Sequence, residues 1–202
     1  MPKIVNRLQK RQDIALSSTE LFIEKGFSKL TVSEVAKNAQ VAKGTIYEYF
    51  DNKDDIVFAI IEYAQKAYDN EVLNNVNKTE SIKKKISYLF SLCIAKDIES
   101  VKRRKMYKEF ISIILNEPSD KMIKFLHDIK NKYTNWLKSI LQQGIKENKL
   151  KPEALEFADG LFAAAEGVLI FSNTRNYFEE NILELHINSL FKLLQTGEDI
   201  DD

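Results

Sequence analysis

Residues 31–53 read TVSEVAKNAQVAKGTIYEYFDNK, from Thr31 to Lys53. Thr31 and Glu34 stand at the spacing of a capping box, in which hydroxyl and carboxylate each satisfy a free backbone N–H at a helix start. Val32, Val35, Ala36 and Ala39 then form a short apolar stripe. After Gln40 and Val41 a second short helix is predicted, with Ile46 and Phe50 four residues apart on its inner face. Two short helices joined by a tight turn are the layout of a helix-turn-helix, which lays its second helix in the major groove of DNA.

The outward residues of that second helix suit the task. Lys43, near the helix N-terminus, can reach a base edge or a phosphate. Gly44 lets backbone approach closely. Thr45 offers a hydroxyl and a methyl, and the phenols of Tyr47 and Tyr49 can reach phosphate oxygens. Glu48 repels phosphate but can accept a hydrogen bond from a cytosine amino group, which makes it a candidate specificity residue. Lys53 can neutralise a further phosphate. Thr31 and Ser33 open a helix whose free N–H groups suit an anion.

Outward from this stretch the chain continues as helices. Upstream, Ile14, Ala15, Ser18, Leu21 and Phe22 share one helix face, which should end at Gly26 in a left-handed cap with Phe27 folded back. Downstream, Asp51 and Asn52 can cap a fourth helix, about 53–74. The polar stretch from Asn74 to Thr79 is the best internal boundary. Five more helices are expected, near 80–96, 99–115, 119–147, 152–175 and 179–195, with Pro118 and Pro152 at helix starts. The fold class is therefore all-α, about nine helices. An N-terminal helix-turn-helix domain is expected over 1–53 and a larger helical domain over 54–202.

Composition agrees. The 202 residues include only 6 Gly and 3 Pro, too few for the turns of an all-β protein. One cysteine, Cys93, excludes an internal disulfide framework, and with two histidines leaves little room for a metal centre. No cofactor or metal is expected. Net charge is zero, but residues 1–53 hold nine basic against six acidic side chains, an excess at the end expected to meet DNA. Lys3, Arg7, Lys10 and Arg11 precede the first acid, and four of the last five residues, 198–202, are acidic. No stretch has signal-peptide or membrane-spanning character, so a cytoplasmic protein without a membrane partner is expected.

The stretch Thr31-Val32-Ser33-Glu34-Val35-Ala36, and above all Val41 to Lys53, resembles the TetR family of bacterial transcriptional regulators over about residues 10–65. The family usually has Gly where this chain has Gln40, and often Ser or Pro where it has Ala42. Gln40 is strained if the turn needs a positive φ, and Ala42 provides no side-chain cap.

A palindromic duplex operator calls for a two-fold protein. The last helix carries two apolar stripes, Leu183, Ile187, Leu190, Phe191 and Leu194 on one side and Ile182, Leu185, Ser189 and Leu193 on another. A helix apolar on two sides is buried on both. The first stripe, with the small-residue row Gly160, Ala164 and Gly167, is the expected homodimer interface. The resemblance implies that 54–202 is a regulatory, ligand-binding and dimerisation domain, with dimerisation through the last two helices and a pocket for a small-molecule inducer that releases a repressor from DNA. Large side chains that could line such a pocket, for an apolar or aromatic inducer, are Phe90, Tyr107, Phe110, Tyr133, Trp136 and Phe162. Glu166 lies in an apolar run and needs a partner there: a cationic ligand, an ion pair or water. Asn173 could add a polar group. The longest helix and the one ending near Asn74 would carry the signal.

Two other readings compete. His127 and Asp128 could serve a helical metal-dependent hydrolase, although further ligands are lacking. An interaction protein that has lost DNA binding is the second, with Gln40 and Ala42 its only hints. The basic run Lys102 to Lys105 reads as a solvated face, and Cys93 as an inert core thiol.

Overall fold

The computed structural model describes residues 6–116, 119–174 and 182–196, without the side chains of 172–174. Lys3, Pro118, the side chain of Asn173 and the acidic residues 198–202 lie outside it. Among the described residues there are eleven α-helices and no strand, and one isolated bridge pairs Leu150 with Gln195. They are α1 (Arg7–Ser17), α2 (Thr19–Lys29), α3 (Val32–Asn38), α4 (Lys43–Tyr49), α5 (Lys53–Val76) and α6 (Ile82–Leu89). Then follow α7 (Ser91–Ile94), α8 (Ile98–Asn116), α9 (Asp120–Lys146), α10 (Ala158–Thr174) and α11 (Ile182–Leu194).

The expected helices are present, with more breaks than periodicity foretells. The first divides at Ser18, whose hydroxyl donates to Ile14 O at 2.9 Å and competes locally with the helix ladder. The segment near 80–96 divides at Phe90 into α6 and α7. Pro152 opens a 3-10 turn over Pro152–Phe157, and the α-helix proper begins at Ala158. At Gly26, where the sequence predicts an end, α2 is kinked and continues to Lys29; the glycine has φ 70° and ψ 175°. That is not the left-handed cap read from the sequence; it is a backbone region open essentially to glycine alone.

The chain forms two compact units. One comprises the described residues of 1–69 and 105–118, the other those of 70–104 and 119–202. In the first, α1 packs on α2, α3 and α4 around Ile14, Phe22, Val35, Ile46 and Phe50, all buried. In the second, α9 packs against α6 and α10, and α11 against α6, α7 and α10. Leu137, Ile86, Leu161 and Ile187 are among its buried core. α9 ends through Asn148 at φ 56°, with the Lys149 N–H returning to Gly144 O at 2.9 Å, a backbone that Asn tolerates. No helix among the described residues is long and apolar enough to cross a membrane.

Gly144 sits where α9 passes its neighbours most closely. A Cβ there would lie 2.8 Å from Leu150 Cδ1 and 3.3 Å from Ile82 Cγ2. Both neighbours are buried, so neither moves freely. Gly144→Ala should therefore lower stability by about 1–3 kcal/mol in urea titration, even though Ala is the better helix former. An unchanged or raised midpoint would show that the contact relaxes without cost.

Candidate nucleic-acid interface

The capping box at Thr31 forms as expected. Thr31 Oγ1 accepts the Glu34 N–H at 3.3 Å and donates to Glu34 Oε2 at 2.8 Å, while the Thr31 N–H donates to the same oxygen at 3.1 Å. Lys25 pairs with the other Glu34 oxygen. These bonds, Lys25 first and Thr31 next, hold the Glu34 carboxyl below its usual range. Thr31 thus spends its proton inside the box, whereas Ser33 is exposed beside it.

α3 ends in a two-bond cap. The Gln40 N–H donates to Lys37 O at 3.2 Å and the Val41 N–H to Ala36 O at 3.0 Å, with Gln40 at φ 56°. This is a Schellman motif with glutamine in the position that favours glycine. Ala42 caps α4 with no side-chain bond. Both departures noted in the sequence therefore have the local geometry they imply, and the turn still forms.

α4 is amphipathic around a narrow inner edge. Ile46 and Phe50 are buried. Lys43, Gly44, Tyr47 and Glu48 are exposed, Tyr47 to 54% of its surface, and Thr45 and Tyr49 are half-buried. Among the described residues nothing outside α4 itself lies within 4 Å of the point where a Gly44 Cβ would stand. The chain's own packing does not require glycine there. Lys53 is half-buried, its ammonium 4.3 Å from the centre of the Phe27 ring and 3.4 Å from Ser28 O.

What the sequence reading missed is how this helix is held. Arg11, on α1, donates through Nη1 to Tyr49 O, the last carbonyl of α4. Its guanidinium also grips Asp55 on α5 with two bonds, Nη1 to Oδ2 at 3.0 Å and Nη2 to Oδ1 at 2.7 Å. The same group lies 4.3 Å from the centre of the Phe50 ring. The bond to Asp55 raises the already high pKa of Arg11. Arg7, one turn earlier, donates to Glu48 O at 2.9 Å. Two of the basic residues counted toward an anionic partner are thus bound to the end of α4, where cations satisfy free carbonyls. Asp55 was legible only as a first-turn acid, and nothing in the spacing of Arg11 pointed to it.

In the second unit Phe90, Tyr133 and Phe162 are buried, and Trp136 and Glu166 are half-buried. The Tyr133 and Trp136 rings lie 5.1 Å apart, with Lys132 Nζ 5.8 and 5.6 Å from their centres. Half-buried Tyr107 and buried Phe110, expected with them, cluster instead with the first unit. One cavity in the second unit, lined by Ile86, Leu141, Phe157, Leu161 and Ile187 among others, measures about 20 Å³. That is room for a water-sized molecule, and none of the seven expected pocket residues lines it.

The two stripes of α11 separate cleanly. Leu183, Ile187, Leu190 and Leu194 are buried within the chain, and Phe191 is half-buried. The stripe assigned to a partner from the sequence therefore faces the chain's own core, because α6, α7 and α10 cover that side. Ile182, Leu185 and Leu193 face outward, as do Ile170 and Phe171 of α10. Of the small-residue row, Gly160 is exposed and Ala164 and Gly167 are half-buried, and neither glycine position has anything within 4 Å of an added Cβ.

The basic run near 102–105 is not a solvated face. Arg104 is buried and donates to Leu92 O at 2.9 Å and Ala95 O at 2.7 Å, closing the end of α7, and Arg103 pairs with Glu71 at 2.7 Å. His127 and Asp128 are exposed on α9, and Asp128 pairs with Lys124 at 2.8 Å. Among the described residues no three His, Cys, Asp or Glu side chains come together as metal ligands would. Cys93 is buried, and burial pushes its thiol well above the ordinary range.

A pair of short helices joined by a tight turn, with the outer face of the second exposed, defines a helix-turn-helix protein. The model of the family "Bacterial regulatory proteins, tetR family" matches residues 16–60. The chain is 29% identical over 99 residues to the HTH-type transcriptional regulator HbdR of Aromatoleum sp. (strain CIB), covering 48% of this chain and 42% of that protein. It is 26% identical over 142 residues to the fatty acid metabolism regulator protein of Bacillus subtilis (strain 168), covering 70% and 71%. The fold is that of a TetR-family regulator from Cytophaga hutchinsonii, with a TM-score of 0.79, 16% identity, and coverage of 97% and 100%. Residues 16–60 thus match the TetR-family helix-turn-helix region, the fold is that of a TetR-family regulator, and the two sequence relatives are transcriptional regulators, of the first of which the chain spans less than half.

The Arg11 fork generates a direct prediction. Lysine keeps the charge but cannot hold Asp55 bidentately while donating to Tyr49 O. Arg11→Lys should lower the unfolding free energy of the N-terminal unit by about 1–3 kcal/mol. Urea titration of the two proteins side by side would check it, and coincident curves would refute it.

Proposed function

We propose that this chain is a homodimeric repressor that reads a palindromic operator and leaves it on binding a small apolar or aromatic molecule. The observation that carries the DNA reading is the face of α4: Lys43, Gly44, Tyr47 and Glu48 are exposed together while Ile46 and Phe50 anchor the helix. Lys43, Gly44, Thr45 and Glu48 meet base edges or the groove floor. Tyr47, Tyr49, Ser33 and Lys53 meet phosphates, with Thr31 presenting backbone N–H groups at the start of α3. A glycine that the fold does not need, at a point facing outward, supports close approach of another molecule.

The test is selection of random duplex DNA by the full chain. A palindromic sequence should emerge, and Tyr47→Ala and Lys53→Ala should weaken it, the latter with a salt slope shallower by about one. Gly44→Ala should stabilise the fold by about 0.5–1 kcal/mol yet weaken DNA binding. If Gly44→Ala binds the selected duplex as tightly as the parent, α4 does not approach the groove as proposed.

The partner surface we propose is the outward stripe of α11 together with Ile170 and Phe171 of α10. Leu185 and Leu193 are 62% and 65% exposed and Phe171 76%, an apolar grouping of the kind that marks an interface. Charge on this face should separate the subunits. Leu185→Arg with Leu193→Arg should convert a dimer to a monomer in sedimentation equilibrium, whereas a dimer of parental strength would place the interface elsewhere. The inducer site belongs to the second unit on this reading, with Phe90, Tyr133, Trp136, Phe162 and Glu166 as its candidate lining. Support for it is modest in extent: the Tyr133 and Trp136 rings pair at 5.1 Å and Glu166 is half-buried in the same unit.

A further inference from the structure

Glu109 lies on α8, 82 residues along the chain from the corner it touches. Its Oε2 accepts the N–H of Phe27 at 3.0 Å. The same oxygen stands 2.7 Å from the point a Cβ at Gly26 would occupy, and the carboxyl carbon 3.1 Å from it. Gly26 has φ 70° and ψ 175°, a backbone region that demands glycine, and the absence of a Cβ leaves room for the carboxylate to reach the Phe27 N–H. Lys53 places its ammonium over the Phe27 ring, 4.3 Å from the ring centre, and near Ser28 O at 3.4 Å. The four-residue stretch from Phe27 to Leu30 leads directly into the capping box at Thr31 and hence into α3 and α4. α3 begins where this corner delivers the chain, and no other covalent path sets its entry.

We propose that Glu109 is a positioning residue for DNA reading: it latches the kink at Gly26, near the end of α2, onto α8 and so fixes where the chain enters α3 and the helix-turn-helix. The proposal rests on the DNA-binding reading above. It makes an electrostatic prediction of unusual sign. Removing a carboxylate from a protein that binds a polyanion ordinarily strengthens binding, because repulsion is lost. Loss of the latch weakens it.

The experiment uses the full chain, the duplex it selects from random DNA, and three variants. Glu109→Ala removes the acceptor and should weaken binding about tenfold, with an unchanged slope of affinity against salt because no phosphate contact is lost. Glu109→Gln keeps an oxygen for the Phe27 N–H without the charge and should bind like the parent. Gly26→Ala strains the backbone of the same corner and should weaken binding as well, whether or not Glu109 is present. Amide exchange at Phe27 is read in parallel: faster in Glu109→Ala, parental in Glu109→Gln. Binding by Glu109→Ala at parental strength or tighter overturns the proposal, and so does equal weakening by the Ala and Gln variants. Should the parent select no duplex, the DNA reading fails. The latch is then judged by exchange alone, and unaltered Phe27 exchange in Glu109→Ala refutes it.

Discussion

The arrangement of the N-terminal unit depends on one guanidinium. α4 is seven residues long, too short to hold itself in water, and it has no side-chain cap at its start. Its end is secured from outside, by Arg11 on Tyr49 O and Arg7 on Glu48 O. Arg11 is also bound to Asp55 and stacked on Phe50, so α1, α4 and α5 meet at a single planar group. Its side chain retains 19% exposure and that of Asp55 18%, a setting in which a bidentate pair is neither fully screened nor starved of water. The outward residues of α4 inherit their direction from that anchor.

The same economy governs the corner before α3. Gly26, Glu109, Phe27 and Lys53 converge from α2, α8 and α5. The basic side chains of this unit thereby fall into two groups. Arg7, Arg11 and Lys53 make contacts within the chain, and Lys43 stands exposed on α4. A count of positive charge near the N-terminus measures the total and is silent on this division. In the second unit Arg104 shows the same thing: a residue in a basic run closes a helix end from a buried position.

Helix content, the capping box, the turn at Gln40 and the inner face of α4 were legible in the sequence because each is set by neighbours within a few residues. The position of Gln40 at positive φ follows from local hydrogen bonding at the end of α3. Helix breaks were less legible. Ser18 fits a helical face, and its hydroxyl bond to Ile14 O becomes visible only in coordinates. The two apolar stripes of α11 were legible as two stripes. Which one faces inward was not, because that depends on packing against α6, α7 and α10, the first two of them far away along the chain.

The sequence by itself determined that this is an all-α chain opening on a helix-turn-helix, and it determined which residues of α4 could face a groove. Periodicity of 3.6 and hydrogen-bond chemistry at helix ends are local, so a single strand of text carries them. The tertiary structure alone decided that Arg11 grips Asp55 and Tyr49 O, that Glu109 presses on Gly26, and that Leu183, Ile187, Leu190 and Leu194 belong to the core. Those are contacts between residues distant along the chain. They are fixed by the three-dimensional path of the backbone, and no spacing in the sequence encodes a distance across it.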